Sequence, residues 1–227
     1  MQAITFDAGG TLLEPWPSVG HVYAQVGGEQ RFGIWDPEDL NRRFAAAWQD
    51  RSAFDYSRPA WARLVARTLD NLTPHAADPR LFDALWNRFT EARAWRVYDD
   101  VPSTLAALRQ AGWRLAVVSN WDERLHEVLQ VTGLAHHFEF ILPSVEGPGP
   151  KPDVRLFQTA AQRLRLPPHA ILHVGDSERE DVQGAQAAGF HARLIRRGAP
   201  PNPPTQINSL ITLLQNPAPT YHVTKPD

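Results

Sequence analysis

An aspartate that closes a short apolar run and opens a glycine-rich turn is placed to attack an electrophile or to hold a cation. Asp7 is such a residue: the run 2–6 leads directly into Asp7-Ala8-Gly9-Gly10-Thr11-Leu12. Two adjacent glycines let main-chain amides come close to an oxyanion, although an aspartate here also suits an ordinary turn. Ser119 ends the apolar run 115–118. Its hydroxyl, with the amide of Asn120, offers hydrogen bonds to a phosphoryl or carboxylate oxygen; Ser-Asn after a strand is equally common helix-capping chemistry. Lys151 lies among Pro148, Pro150 and Pro152, which stiffen the loop and would hold the ammonium as a fixed point charge. Asp176 and Asp181 follow Gly175, and paired carboxylates at a strand end form the hard-oxygen environment Mg2+ prefers. Either aspartate also suits the start of a helix, as a cap or beside its positive dipole end.

The surrounding pattern places these residues together. From residue 101 onward, helical stretches at 103–111, 123–132, 153–165 and 181–188 alternate with apolar strands at 114–118, 138–142, 170–174 and 191–195. Such alternation predicts a parallel sheet covered on both faces, and ligands bind beyond the carboxyl ends of its strands. Asp7, Ser119-Asn120, Lys151 and Asp176 each follow a predicted strand, so residues far apart in sequence meet at one sheet edge. Between about 17 and 96 the character changes to helical runs at 39–50, 58–70 and 79–96, with Leu81, Leu85, Phe89 and Ala92 at helical spacing; no strand is expected there. The reading is an α/β protein: a Rossmann-like core from 1–15 and 97–215, an inserted all-helical domain over 16–96, and a loose tail at 216–227. A proline-rich linker at 198–204 precedes a final short helix at 207–214.

Composition narrows the function. The chain has 227 residues, a net charge of −2 and no cysteine. Neither nucleic acid nor an acidic membrane surface is an expected partner, since both favour a basic face, and a disulfide framework or thiol nucleophile is excluded. No apolar run reaches membrane-spanning length, and the first residues lack a signal-peptide pattern, so the cytoplasm is expected. Six of the eight tryptophans, Trp16, Trp35, Trp48, Trp61, Trp86 and Trp95, precede Val97. They suit either the core of the inserted domain and a pocket lining, or a partner surface.

Asp7-x-x-x-Thr11-Leu12, Ser119-Asn120, Lys151-Pro152-Asp153 and Gly175-Asp176-(x)4-Asp181 resemble, in order, the four motifs of the haloacid dehalogenase superfamily, over the chain to about Gly198. The insertion resembles that superfamily's helical cap, and residues 114–190 resemble its rhythmically expressed, dehalogenase-like branch. The resemblance implies that Asp7 attacks phosphorus to form an aspartyl-phosphate, while Thr11, Ser119, Asn120 and Lys151 bind the phosphoryl group. It implies Mg2+ held by Asp7, the carbonyl of Gly9 and Asp176, with Asp181 completing the site or orienting its waters and Lys151. A small phosphorylated molecule would be the substrate.

One position departs from the pattern. The superfamily's phosphatases carry a second aspartate two residues after the nucleophile, as general acid and base, and here that position is Gly9. Three readings follow: a phosphatase whose leaving group needs little protonation, or whose proton comes from Glu14 or His21; a 2-haloacid dehalogenase, since halide leaves unprotonated and Asp7-Ala8-Gly9-Gly10-Thr11 resembles the opening of those enzymes; or a fold retained for binding.

Overall fold

The computed structural model describes residues 1–51, 54–200, 202 and 205–215. The sheet is built from β1 (Ala3–Phe6), β4 (Arg114–Ser119), β5 (Phe140–Pro143), β6 (Ile171–Gly175), β7 (His191–Ile195) and β8 (Gln206–Ile207). Their order is β5-β4-β1-β6-β7-β8, every pairing parallel. The chain runs outward from β1 to β5, then returns to the other side of β1 at β6, so the strand order reverses around β1. This is where an open α/β sheet leaves a crevice at its carboxyl edge.

Register fixes what reaches that crevice. Phe6 of β1 is level with Val117 of β4 and with Val174 of β6, so Asp7, Ser119 and Asp176 leave the sheet at nearly the same height. The strands are apolar because both faces are covered: Ile4, Phe6, Leu115, Val117, Leu172 and Val174 share one cluster, while Ala3, Phe157, Ile171 and Phe190 pack on the opposite face. Helices α5 (Val101–Gln110), α6 (Arg124–Val131) and α7 (Val154–Leu164) connect the strands.

The stretch after β1 forms four helices, α1 (Val19–Glu29), α2 (Pro37–Gln49), α3 (Arg58–Leu69) and α4 (Pro79–Arg88). Ser18, Asp36, Ser57 and Asp78 each accept a hydrogen bond from a main-chain N–H of the helix they open, the usual remedy for unpaired first-turn donors. The helices share a separate apolar cluster of Tyr23, Val26, Leu40, Val65, Leu69, Leu81 and Leu85.

Several boundaries differ from the sequence reading. The run 79–96 ends as a helix at Arg88, and Trp95–Val97 forms strand β3, antiparallel to β2 (Leu13–Pro15). A strand therefore does occur before residue 97, because the two crossings of the chain between sheet and helices lie side by side and pair. Helix α1 carries three glycines, Gly20, Gly27 and Gly28, which weaken the periodic signal. The stretch 178–183 is a wide π-helical turn before the short α8 (Gly184–Ala187). Within 207–214, Ile207 pairs in β8 and the helix α9 is confined to Thr212–Gln215. The tail at 216–227 and part of the proline-rich linker lie outside the described residues.

Candidate active site

Asp7 follows β1 and is nearly buried, 7% exposed. Its Oδ1 accepts a hydrogen bond from Ser119 Oγ at 2.8 Å and another from Lys151 Nζ at 2.7 Å. Lys151, 3% exposed, also donates to the Val118 carbonyl at 3.0 Å and to Asp181 Oδ1 at 2.5 Å. Its three protons thus have three acceptors, and the ammonium is pinned rather than solvated. Burial would lower the pKa of Lys151, but the carboxylates of Asp181 and Asp7 overcome this and raise it, so the amine stays charged.

Asp181 is held from three sides. Oδ1 takes Lys151 and the Nε2 of His173 at 3.1 Å, and Oδ2 accepts the Ser177 main-chain N–H at 2.8 Å. Burial works against its charge, yet Lys151 and His173 outweigh that and hold its carboxyl below the usual range. His173 is wholly buried, and burial lowers its pKa. A carboxylate only accepts, so Nε2 carries the ring proton and Nδ1 faces the Thr5 hydroxyl at 2.9 Å. Gly175 makes this arrangement possible: a Cβ there would lie 2.1 Å from Asp181 Cγ.

Among the described residues no ion pair forms on the Asp176 carboxyl, and Arg196 hydrogen-bonds its main-chain carbonyl instead. The Asp176 carboxyl is pushed up to about 7, first by burial and then by the negative charges of Asp7 and Asp181. Burial likewise pushes Asp7 up, against the pull of Lys151. Gly10, at φ +69°, lets the loop after Asp7 lie close: a Cβ would stand 2.4 Å from Asp176 Oδ2. Asp7, Asp176 and Asp181 bring one carboxylate oxygen each within 4.8 Å of one another. Three such oxygens with one lysine leave negative charge to be balanced, which suits a hard divalent cation. Gly9 lines the same cavity, so its carbonyl belongs to the same edge.

Asn120 works through its side chain. Its Oδ1 accepts the Lys151 main-chain N–H at 2.6 Å, and its Nδ2 donates to the Lys151 carbonyl at 2.9 Å and to Glu180 Oε2 at 3.0 Å. Thr11 is fully buried and does not line the cavity; its carbonyl accepts from Arg197 Nη2 at 2.6 Å. Glu14 accepts from Tyr98 Oη at 3.0 Å and pairs with Arg96, while His21 Nδ1 pairs with Ser18 Oγ at 2.8 Å. Neither lines the cavity, so the two substitutes considered for the missing acid are engaged elsewhere.

Above the carboxylates, a cavity of about 400 Å³ opens between the helices and the sheet edge. Its walls include Trp48 and Trp61 from the helices, Trp86 of α4, and Trp95 and Trp121 nearer the sheet. Of the tryptophans before Val97, four therefore line this cavity, whereas Trp16 is exposed beneath Arg96 and Trp35 packs against Gly27 and Gly33. Two arginines reach its rim. Arg124, bound to both oxygens of Asp122, donates to the Trp86 carbonyl at 3.1 Å and lies 3.4 Å from the Trp86 ring centre. Arg51 sits 3.6 Å over Trp48 and 3.8 Å from Glu180. Sequence reading missed His173, Glu180, Arg124 and Trp121. Only His173 gave a signal, as a ring with two nitrogens inside an otherwise apolar strand.

The chain matches a family model for haloacid dehalogenase-like hydrolases over residues 1–189. The chain belongs to the haloacid dehalogenase-like hydrolases. A mouse member, haloacid dehalogenase-like hydrolase domain-containing protein 3, is 34% identical over 211 residues, 88% of this chain and 84% of that one. The rhythmically expressed gene 2 protein of Drosophila melanogaster is 28% identical, with 85% and 82% covered, so the branch expected from residues 114–190 is the right one. An (S)-2-haloacid dehalogenase 4A of Burkholderia cepacia is 31% identical, with 88% and 86% covered. Among solved structures, a haloacid dehalogenase-like hydrolase of Bacillus subtilis, YfnB, bound to magnesium, aligns with a TM-score of 0.80 at 18% identity, covering 94% of this chain and 97% of that one. The Rossmann-like α/β architecture is that of this family.

Proposed function

We propose that this hydrolase is a Mg2+-dependent phosphatase acting on a small phosphorylated molecule through an aspartyl-phosphate at Asp7. The observation that carries the reading is the double grip on Asp7 Oδ1 by Ser119 and Lys151. It fixes the rotation of the carboxylate and places a hydroxyl and an ammonium beside the position an attacked phosphoryl group would occupy. Asp7, Asp176 and the Gly9 carbonyl would hold the cation, with Asp181 completing the cluster or acting through Lys151. Bound there, Mg2+ supplies Lewis-acid charge for the phosphoryl oxygens.

The chain's own steps follow from the geometry. Asp7 bonds to phosphorus as the ester bond breaks, and Lys151 and Ser119 take up charge on the transferring oxygens. The helical domain over 16–96 acts as a cap that shields the aspartyl-phosphate from bulk water. Water then cleaves it, returning Asp7. No helix among the described residues is long and apolar enough to cross a membrane, and a cytoplasmic setting with no nucleic-acid partner belongs to this reading.

The test is hydrolysis of p-nitrophenyl phosphate and acetyl phosphate, with Mg2+ and with EDTA, by wild type and Asp7→Asn. Turnover requiring both Mg2+ and Asp7 supports the proposal, and a Mg2+-dependent rise in Tm lost in Asp176→Asn reports the cation separately from activity. Gly9 and the Burkholderia relative favour a second reading, dehalogenation. Chloride release from 2-chloropropionate without metal, with no phosphatase activity, would replace the first reading by the second.

A further inference from the structure

We infer that the substrate is an aryl phosphate, whose flat, uncharged aromatic leaving group is bound among the tryptophans of the cavity; the inference rests on the phosphatase reading above. Three observations converge on it, one about protons, one about shape and one about charge.

The proton comes first. Gly9 has no side chain, and a Cβ there would already lie 3.4 Å from the Trp121 ring. The space a carboxylate would need at this position is bounded by an indole. Trp121 is itself fixed, packed against Trp95 with ring centres 5.2 Å apart. Besides Asp7 and Asp176, the carboxylate that lines the cavity is Glu180, which receives Asn120 on Oε2 and has Arg51 at 3.8 Å from Oε1. A leaving group must therefore depart without a proton donated from position 9. Phenols ionise near 10, far more readily than alcohols, so a phenolate leaves unaided where an alkoxide does not.

The cavity's shape fits the same group. Trp48 and Trp61 stack on each other, 18° apart with centres 5.7 Å apart, and Arg124 lies over Trp86 and reaches toward Trp61, all three rings lining the cavity. Stacked and edge-on rings recognise a planar aromatic body better than a polyol, and about 400 Å³ matches one or two fused rings at the small end of ligand pockets.

Charge points the same way. Both arginines on the cavity wall have carboxylate partners, Arg124 in Asp122 and Arg51 in Glu180, and both lie against indole faces. A leaving group bearing its own carboxylate or second phosphate would meet arginines whose charge is already balanced, whereas an uncharged ring asks nothing of them.

The step balances without a donated proton. The Asp7 Oδ–P bond forms as the P–O(aryl) bond breaks, and the phenolate leaves with the electron pair and is protonated by solvent. Water then adds at phosphorus, the acyl P–O bond breaks, and Asp7 returns as a carboxylate with inorganic phosphate and one solvent proton released.

The experiment compares kcat/KM for 1-naphthyl phosphate, glycerol 3-phosphate, 3-phosphoglycerate and acetyl phosphate, with Mg2+, for wild type, Trp61→Ala and Trp61→Phe. Acetyl phosphate carries no ring for Trp48, Trp61 and Trp86 to bind and leaves readily, so it reads the phosphoryl machinery without the aromatic pocket. Expected is a naphthyl preference over both alkyl phosphates of at least about 10^2-fold, the low end of what a general acid contributes. Trp61→Ala should lower naphthyl turnover at least about tenfold and acetyl phosphate by under about threefold, with Trp61→Phe between. Glycerol 3-phosphate or 3-phosphoglycerate matching the naphthyl ester in wild type overturns the inference while leaving the phosphatase reading intact. No turnover of acetyl phosphate overturns that reading and the inference with it. If Trp61→Ala does not fold, the wild-type ratio and Trp61→Phe still decide.

Discussion

Asn120 grips Lys151 by both of its main-chain hydrogen-bonding groups, accepting its N–H at 2.6 Å and donating to its carbonyl at 2.9 Å. A side chain at the end of β4 thereby sets the position of a loop 31 residues away, and with it the ammonium that meets Asp7. The Asn120→Ala enzyme should lose on the order of 10^2 in kcat, since a shift of about 1 Å in a charged group costs this much. KM should change by far less. A loss confined to KM would show instead that Asn120 acts on substrate binding.

Lys151 is the one cation hydrogen-bonded to both Asp7 and Asp181 among the described residues. Lys151→Met should abolish turnover and destabilise the fold by about 3–5 kcal/mol, because removing one partner leaves buried carboxylates uncompensated. Adding Asp181→Asn should recover part of the stability and none of the activity. Urea denaturation of the single and double variants measures this; equal stability of wild type and Lys151→Met would refute the pinned geometry.

The carboxyl of Asp176, raised to about 7, gives a pH signature with a definite sign. In the metal-free protein the neutral form is favoured, so the stability it contributes is present below the ordinary carboxylate range and lost as pH rises through about 7. A divalent cation needs the ionised form, so Mg2+ affinity should rise by up to about tenfold per pH unit below 7 and level off above it. Calorimetry from pH 5 to 8, with and without Mg2+, should show the metal-free Tm falling while the Mg2+-induced gain grows. Asp176→Asn should show neither trend.

Arg124 ties the helices to the sheet by hydrogen-bonding the Trp86 carbonyl and covering its ring while bound to the fully buried Asp122. Arg124→Ala should cost about 2–4 kcal/mol, chiefly by stranding Asp122. It should also speed amide hydrogen exchange in α4. Arg124→Lys should not rescue either effect, because a point charge lacks the planar fork and the stacking face; rescue by lysine would mean that charge alone sufficed.

Gly9→Asp by itself should add less alkyl-phosphate turnover than it does with Trp121 removed, because its Cβ would touch the Trp121 ring at 3.4 Å and the carboxyl beyond shares that ring's space. Combined with Trp121→Ala, the new carboxyl has room, and glycerol 3-phosphate hydrolysis should rise by about 10^2-fold or more. A gain from Gly9→Asp alone as large as from the double variant would show that Trp121 does not restrict this position.

The sequence by itself determined the sheet and the residues on its carboxyl edge. Strands as apolar as 115–118 and 171–174 must be buried on both faces, and their alternation with helices forces parallel pairing, so Asp7, Ser119, Lys151 and Asp176 had to meet. Tertiary structure decided what each of them touches. That Asn120 serves Lys151 through its side chain, that His173 backs Asp181, and that four tryptophans before Val97 turn toward the cavity with Trp121 all depend on contacts between segments tens of residues apart. Local propensity carries no record of these. The β2–β3 ribbon escaped for the same reason: three-residue strands have no period to read, and they exist because the chain crosses twice between sheet and helices at one place.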